Sequence, residues 1–242
     1  MSIKAIRSAR AVRRFARSAL MRTMDWFPQM RPRVLLRLPR GSRDLAVTFD
    51  DGPDPEITPR VLDLLEVHRW KATFFVVGRR AEKHPGLLRL IVSAGHQVGN
   101  HTYSHVRCRG LGEEAFLNEL SRTDALIQAA SAGVSEPALF RPPWGSLTPV
   151  QAACLWRRGR GIGLWSISCD DSGPEASRPA ACDAALSARS RDIVLLHDTS
   201  PVVLDVLGVM LPELGGRGLR SVALGLDGSS LNNDAPSTSG SP

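Results

Sequence analysis

The sequence predicts an α/β fold of repeating βα units, closed as a barrel or left open as a doubly wound sheet, and three observations predict it. Short apolar runs alternate with stretches of helical periodicity through the middle of the chain. Prolines sit near the start of four of those helical stretches, where a missing N–H costs little. The 242 residues suffice for one sizeable core and are few for two, and neither an internal repeat nor a second domain is visible.

In chain order the apolar runs are Leu45–Phe49, Ala72–Val77, His96–Gly99, Ala138–Phe140, Gly161–Ser168, Ile193–Leu196 and Arg220–Leu226. Each is short, bounded by turn residues, and reads as a buried strand. Between them, residues 58–69, 85–94, 113–130, 148–158, 176–189 and 201–213 carry helical spacing, with Pro59, Pro85, Pro149 and Pro201 near four of the starts. The folded body is placed at residues 43–228. Residues 229–242, rich in Ser, Pro and Asn, are expected to be a disordered tail.

Charge divides the chain. Residues 1–42 form a basic arm dominated by arginine, whereas the body is mildly acidic, so the overall pI near 10 belongs to the arm. That distribution argues against a nucleic-acid-binding body and suits peripheral contact of residues 1–40 with an anionic membrane. Arginines interrupt the arm too often for a secretory signal, and no apolar window is long enough to span a bilayer. Cys108, Cys154, Cys169 and Cys182 lie far apart with no CxxC pair, which fits a reduced, cytoplasmic setting, membrane-peripheral through the arm.

Reactive residue types cluster just after the strand runs. Asp50-Asp51 follow the first, His101 and His105 of "HTYSH" the third, Arg141 of "RPPWG" the fourth, Asp170-Asp171 the fifth, and His197 closes the sixth. In a barrel of parallel strands those ends share one face. Histidines four apart lie on one side of a helical turn and can bind one metal, and the doubled aspartate offers the third ligand. One aspartate then ligates a cation whose charge relieves the repulsion, while the other serves as a base. His197, ending an apolar run, suits a proton donor to a leaving group, oriented by Asp170 or Asp171. Arg141 can pin the base carboxylate, and the backbone N–H of Trp144 can face a developing oxyanion. His68, His84 and His96 have no such partners and read as surface residues.

"TFDDGP", "HTYSH", "RPPWG", "WSISCDDS" and "LLHD", in this order and spacing, resemble the motifs of the polysaccharide deacetylase family, the NodB homology domain of carbohydrate esterase family 4. The resemblance implies a distorted (β/α)7 barrel and metal-dependent removal of acetyl from an N-acetylhexosamine unit of a glycan or glycolipid. By motif it implies Asp50 as base, Asp51, His101 and His105 as metal ligands, and Arg141 as the holder of the base. It further implies Trp144 as oxyanion donor, Leu195 against the acetyl methyl, His197 as acid, and Trp144 and Tyr103 as sugar contacts. The cofactor it implies is a divalent ion, zinc foremost, with cobalt, nickel or manganese as alternatives. Two departures stand out. Trp144 replaces a more usual tyrosine, and the Asp-x-x-Asp-Trp block reads Ser168, Asp171, Ser172, keeping one carboxylate and losing an apolar groove wall. Alternative readings are a deformylase or deacetylase of a lipid-linked amino sugar, and a silent carbohydrate-binding relative.

Overall fold

The structure, a computed structural model, describes residues 33–131 and 138–225. The strands are β1 (Val34–Leu35), β2 (Ala46–Asp50), β3 (Ala72–Val76), β4 (Gln97–Asn100), β5 (Leu139–Phe140), β6 (Gly161–Gly163), β7 (Ile167–Ser168) and β8 (Ile193–His197). Between and after them run α1 (Ile57–Val67), α2 (Gly78–Lys83), α3 (Pro85–Ser93), α4 (Glu113–Ala130), α5 (Pro149–Arg157), α6 (Arg178–Leu186) and α7 (Val202–Gly216). Local sequence explains the helix starts. Pro85 and Pro149 occupy the first turns of α3 and α5, and α5 is closed by a reciprocal capping box between Thr148 and Gln151.

All strand pairs are parallel, in the order β1-β6-β5-β4-β3-β2-β8-β7. β6 and β7 stand six strand positions apart, about 29 Å in a flat sheet. Only Leu164, Trp165 and Ser166 join them, a connection that spans at most about 14 Å. The sheet therefore curls until its two ends approach, giving the distorted barrel.

Two apolar cores follow from the period-two alternation of the strands. Val47, Phe49, Phe74, Val76, Val194 and Leu196 point outward and pack under the helices with Val61, Leu65, Val206 and Met210. Ala46, Phe75, Ile162, Ile193 and Leu195 point inward and fill the barrel with Leu164 and Trp165.

Four expectations need correction. Residues 33–42, read as part of the arm, belong to the body: β1 pairs with β6, and Leu35 and Leu38 are buried. The run Gly161–Ser168 divides into β6 and β7, because the chain crosses between them from near one end of the sheet to the other. Residues 220–225 make an isolated bridge, Leu45 to Ser221, in place of a strand; Leu226 lies outside the described residues. His96, read as exposed, is a core residue: its Nδ1 accepts the Ala72 N–H at 3.2 Å and its ring meets Phe74 edge-on. Burial, helped by the charge of Lys71, lowers its pKa to about 4. The arm's residues 1–32 and the tail at 229–242 lie outside the described residues.

Candidate active site

β2 and β8 pair in register from Ala46↔Ile193 to Asp50↔His197. Alternation that sends Ala46 and Ile193 inward also sends Asp50 and His197 inward, two pairs further along. A carboxylate and an imidazole thus leave two adjacent strands side by side at the mouth of the barrel.

Arg141, following β5, fixes the first of them. It is fully buried; its Nη1 donates to Asp50 Oδ1 at 2.6 Å and to Thr48 Oγ1 at 2.8 Å. The Nε and Nη2 groups donate to the carbonyls of Gly163 and Leu164 at 2.9 and 3.0 Å, and Phe75 lies under the guanidinium at 4.0 Å. Burial pulls the arginine pKa down and the adjacent Asp50 opposes this. Four of its five N–H donors are taken, so the Asp50 carboxylate is held in one orientation against a rigid cation.

One residue on, the chain turns sharply. Asp51 has φ 74°, and its Oδ1 stands 3.0 Å from His105 Nε2 and 3.5 Å from His101 Nε2. His101 Nδ1 donates to the Arg141 carbonyl at 2.7 Å, the tautomer that turns the Nε2 lone pair toward Asp51. Asp51 Oδ1 is buried and accepts no hydrogen bond, although two imidazoles face it. Burial alone would raise its pKa, but the close approach and charge of His101 and His105 outweigh it and hold the carboxyl well below the usual range. The three donor atoms lie within 4.8 Å of one another. Tetrahedral ligands of zinc stand about 3.4 Å apart, so this convergence of one oxygen and two nitrogens fits a divalent cation.

The second group is set by Asp171. Its Oδ1 accepts from His197 Nδ1 at 2.8 Å and its Oδ2 from the His197 backbone N–H at 2.9 Å. Burial works to lower the imidazole pKa; the bond and charge of Asp171, with Asp51 and Asp50 behind it, prevail and raise it to about 9. Asp170 instead accepts from Ser168 Oγ, which settles the choice between the two aspartates.

Trp144 walls the cup. It is 46% exposed at φ 56°, its ring 4.5 Å from that of His105 and 4.2 Å below the Arg107 guanidinium. Leu195, buried on the inner face of β8, lies one inward position below His197. Asp51, Thr102, His105, Trp144 and Asp170 all have positive φ, strain of the kind that gathers where a site is held against local preference. Tyr103, expected at the sugar, faces elsewhere: its hydroxyl donates to Glu82 on α2 and its ring lies 3.3 Å from the Arg122 guanidinium on α4.

Asp198 received no role from the sequence although it ends "LLHD". It is buried, accepts from Thr58 Oγ1 at 2.6 Å, and packs so closely on Gly52 that a Cβ there would overlap its carboxylate. Burial and the charge of Asp51 raise its pKa to about 7, the Thr58 bond opposing. The doubled-aspartate turn therefore rests on this carboxyl.

The family profile described as polysaccharide deacetylase matches residues 37–154. A peptidoglycan-N-acetylglucosamine deacetylase of Bacillus cereus is 34% identical over 196 residues, spanning 79% of this chain and 91% of that protein. A chitooligosaccharide deacetylase of Sinorhizobium fredii is 36% identical over 173 residues, spanning 70% and 78% respectively. The family 4 carbohydrate esterase from Streptomyces lividans, solved in complex with acetate, superposes with a TM-score of 0.72 at 30% identity over 80% of this chain and 99% of that one. Curled parallel sheet, clustered motif residues and pairwise similarity along most of the length agree: the chain belongs to the polysaccharide deacetylase family.

Proposed function

We propose that the protein is a divalent-metal-dependent hydrolase that removes the N-acetyl group from an N-acetylglucosamine unit of a glycan such as peptidoglycan or a chitooligosaccharide. The observation that carries this reading is the cup of Asp51, His101 and His105, flanked by Arg141-held Asp50 and Asp171-held His197. Bound there, a divalent cation, zinc foremost, supplies Lewis acidity for an amide carbonyl and for water.

The chain's own residues do the rest. Asp50, fixed by Arg141, accepts the proton of the attacking water. The Trp144 backbone N–H faces the oxyanion of the tetrahedral adduct. Leu195 lines the apolar slot for the methyl group. His197, kept protonated by Asp171, gives its proton to the nitrogen, so the amine leaves and acetate remains.

Mass spectrometry on chitooligosaccharides, peptidoglycan fragments and polyprenyl-linked N-acetyl sugars tests this. Loss of one acetyl mass from one class, abolished in Asp50→Asn with saccharide binding retained, is the expected result. No loss from any class with metal-supplemented protein contradicts it. The basic arm favours action at an anionic membrane; deleting residues 1–32, which leaves β1 intact, is expected to abolish vesicle binding.

A further inference from the structure

Between the two imidazoles of the cup lie Thr102, Tyr103 and Ser104, and side chains hold all three of their N–H groups. Thr102 N–H donates to Asn100 Oδ1 at 2.8 Å. Tyr103 and Ser104 N–H both donate to Glu119 Oε2, at 2.9 and 2.8 Å, and the Ser104 hydroxyl donates to Glu119 Oε1 at 2.9 Å. On the opposite side, the carbonyls of Thr102 and Tyr103 accept from Gly78 and Arg79 N–H at the start of α2, at 3.0 and 2.9 Å. Asn100 is itself anchored to α4, donating to the Leu120 carbonyl at 2.9 Å and to Asp124 at 2.6 Å.

We infer that Glu119 is a positioning residue that sets metal affinity by clamping the loop between His101 and His105. The inference rests on the metal reading of the cup. Thr102 and His105 both have positive φ, at 65° and 58°, conformations a free loop leaves readily. Without its clamp the segment relaxes, His105 moves off its partner Asp51, and the three donors no longer converge. The Glu119 carboxylate touches none of the ligating atoms. It acts on the backbone that carries them, as an outer partner orients a ligand elsewhere. Its location on the half-buried side of α4, with both oxygens spent on this one loop, distinguishes it from the solvated glutamates Glu113 and Glu114 at the helix start.

The test is isothermal titration of zinc into metal-free, full-length protein, paired with amide hydrogen exchange at Tyr103 and Ser104. Glu119→Ala is expected to weaken zinc binding about 10- to 100-fold and to speed exchange at both amides. Glu119→Gln, whose carbonyl oxygen still accepts both N–H groups, is expected to bind within about threefold of the parent and to keep the protection. Glu82→Gln, which alters only the Tyr103 hydroxyl contact, is expected to leave zinc affinity unchanged. The inference is overturned if Glu119→Ala binds as tightly as the parent, or if Glu119→Gln falls as far as Glu119→Ala, since charge and not the clamp would then be acting. A parent protein that takes up no zinc overturns the reading of the cup and this inference together; parental binding with an indifferent Glu119→Ala overturns only the latter.

Discussion

Asp50 and Asp51 are chemically identical and one peptide bond apart, yet their surroundings give them different partners. Asp50 ends an inward strand position against a buried guanidinium, and Asp51 sits past the turn against two imidazoles. The charge pairs on either flank act the same way. His197 carries a pKa near 9 because Asp171 overrides burial. Replacing Asp171 with asparagine removes the largest influence that opposes burial and leaves only the charges of Asp51 and Asp50 against it. The His197 pKa in Asp171→Asn is therefore expected to fall well below 9, read from histidine ring shifts of metal-free protein, and deacetylation to drop about 10²- to 10⁴-fold. A pKa still near 9 would mean that Asp171 does not set it. At this scale the clustering of the motif residues was legible, because they stand at the ends of successive strand runs. Tyr103 stands apart from its expected place at the sugar: it lies between His101 and His105 in sequence, but the loop turns its ring outward toward α2 and α4. Glu119 and Asp198 were not read at all, since a glutamate on a helix and an aspartate after a strand look like solvated residues until the packing is seen.

Elements were legible where length and periodicity agreed. The five-residue strands β2, β3 and β8 and the long helix α4 stand within a residue or two of their expected places. The six-residue α2 is too short to show a period. The crossover at Leu164–Ser166 is as apolar as the strands beside it, so the pattern ran through the break. His96 was misplaced because it precedes β4 in a turn, and nothing local reveals that Ala72 and Phe74 of β3 enclose it. That enclosure has a measurable consequence. The unfolded chain binds a proton at an ordinary histidine pKa of about 6.5, the folded chain only near pH 4. Folding stability from this group is thus present above the first value and lost as pH falls toward the second, by about 3 kcal/mol in all. Urea unfolding of His96→Asn, which keeps an acceptor near Nδ1, is expected to show a correspondingly shallower decline between pH 6.5 and 4. An unchanged decline would place the titration elsewhere. The turn after β2 makes a second prediction. Gly52→Ala drives a methyl group into the Asp198 carboxylate and is expected to cost about 2–3 kcal/mol. Gly110→Ala, with open space around it, is expected to change stability by less than about 0.5 kcal/mol. Thermal unfolding of the two variants checks the contrast.

At the scale of the molecule, the curl of the sheet makes one site out of scattered motifs. Arg141 reaches from the end of β5 to β2 and to the crossover between β6 and β7, so its five-donor fork ties together parts that a flat sheet would hold far apart. The convergence of strand ends was readable in the sequence from the order of the motifs. Closure into a distorted barrel was legible through the resemblance of those motifs. The count of the strands was not, because two-residue strands and a bridge carry too little pattern, and the body's beginning at β1 was hidden by the basic residues around it. Everything chemical here depends on whether one oxygen and two nitrogens bind a single divalent ion. Anomalous diffraction at the zinc edge from a zinc-grown crystal addresses that directly. The account predicts one peak per chain, about 2.0–2.2 Å from the carboxylate of Asp51 and from Nε2 of His101 and His105. Crystals with no peak in that cup, or with the ion held by other side chains, would contradict it.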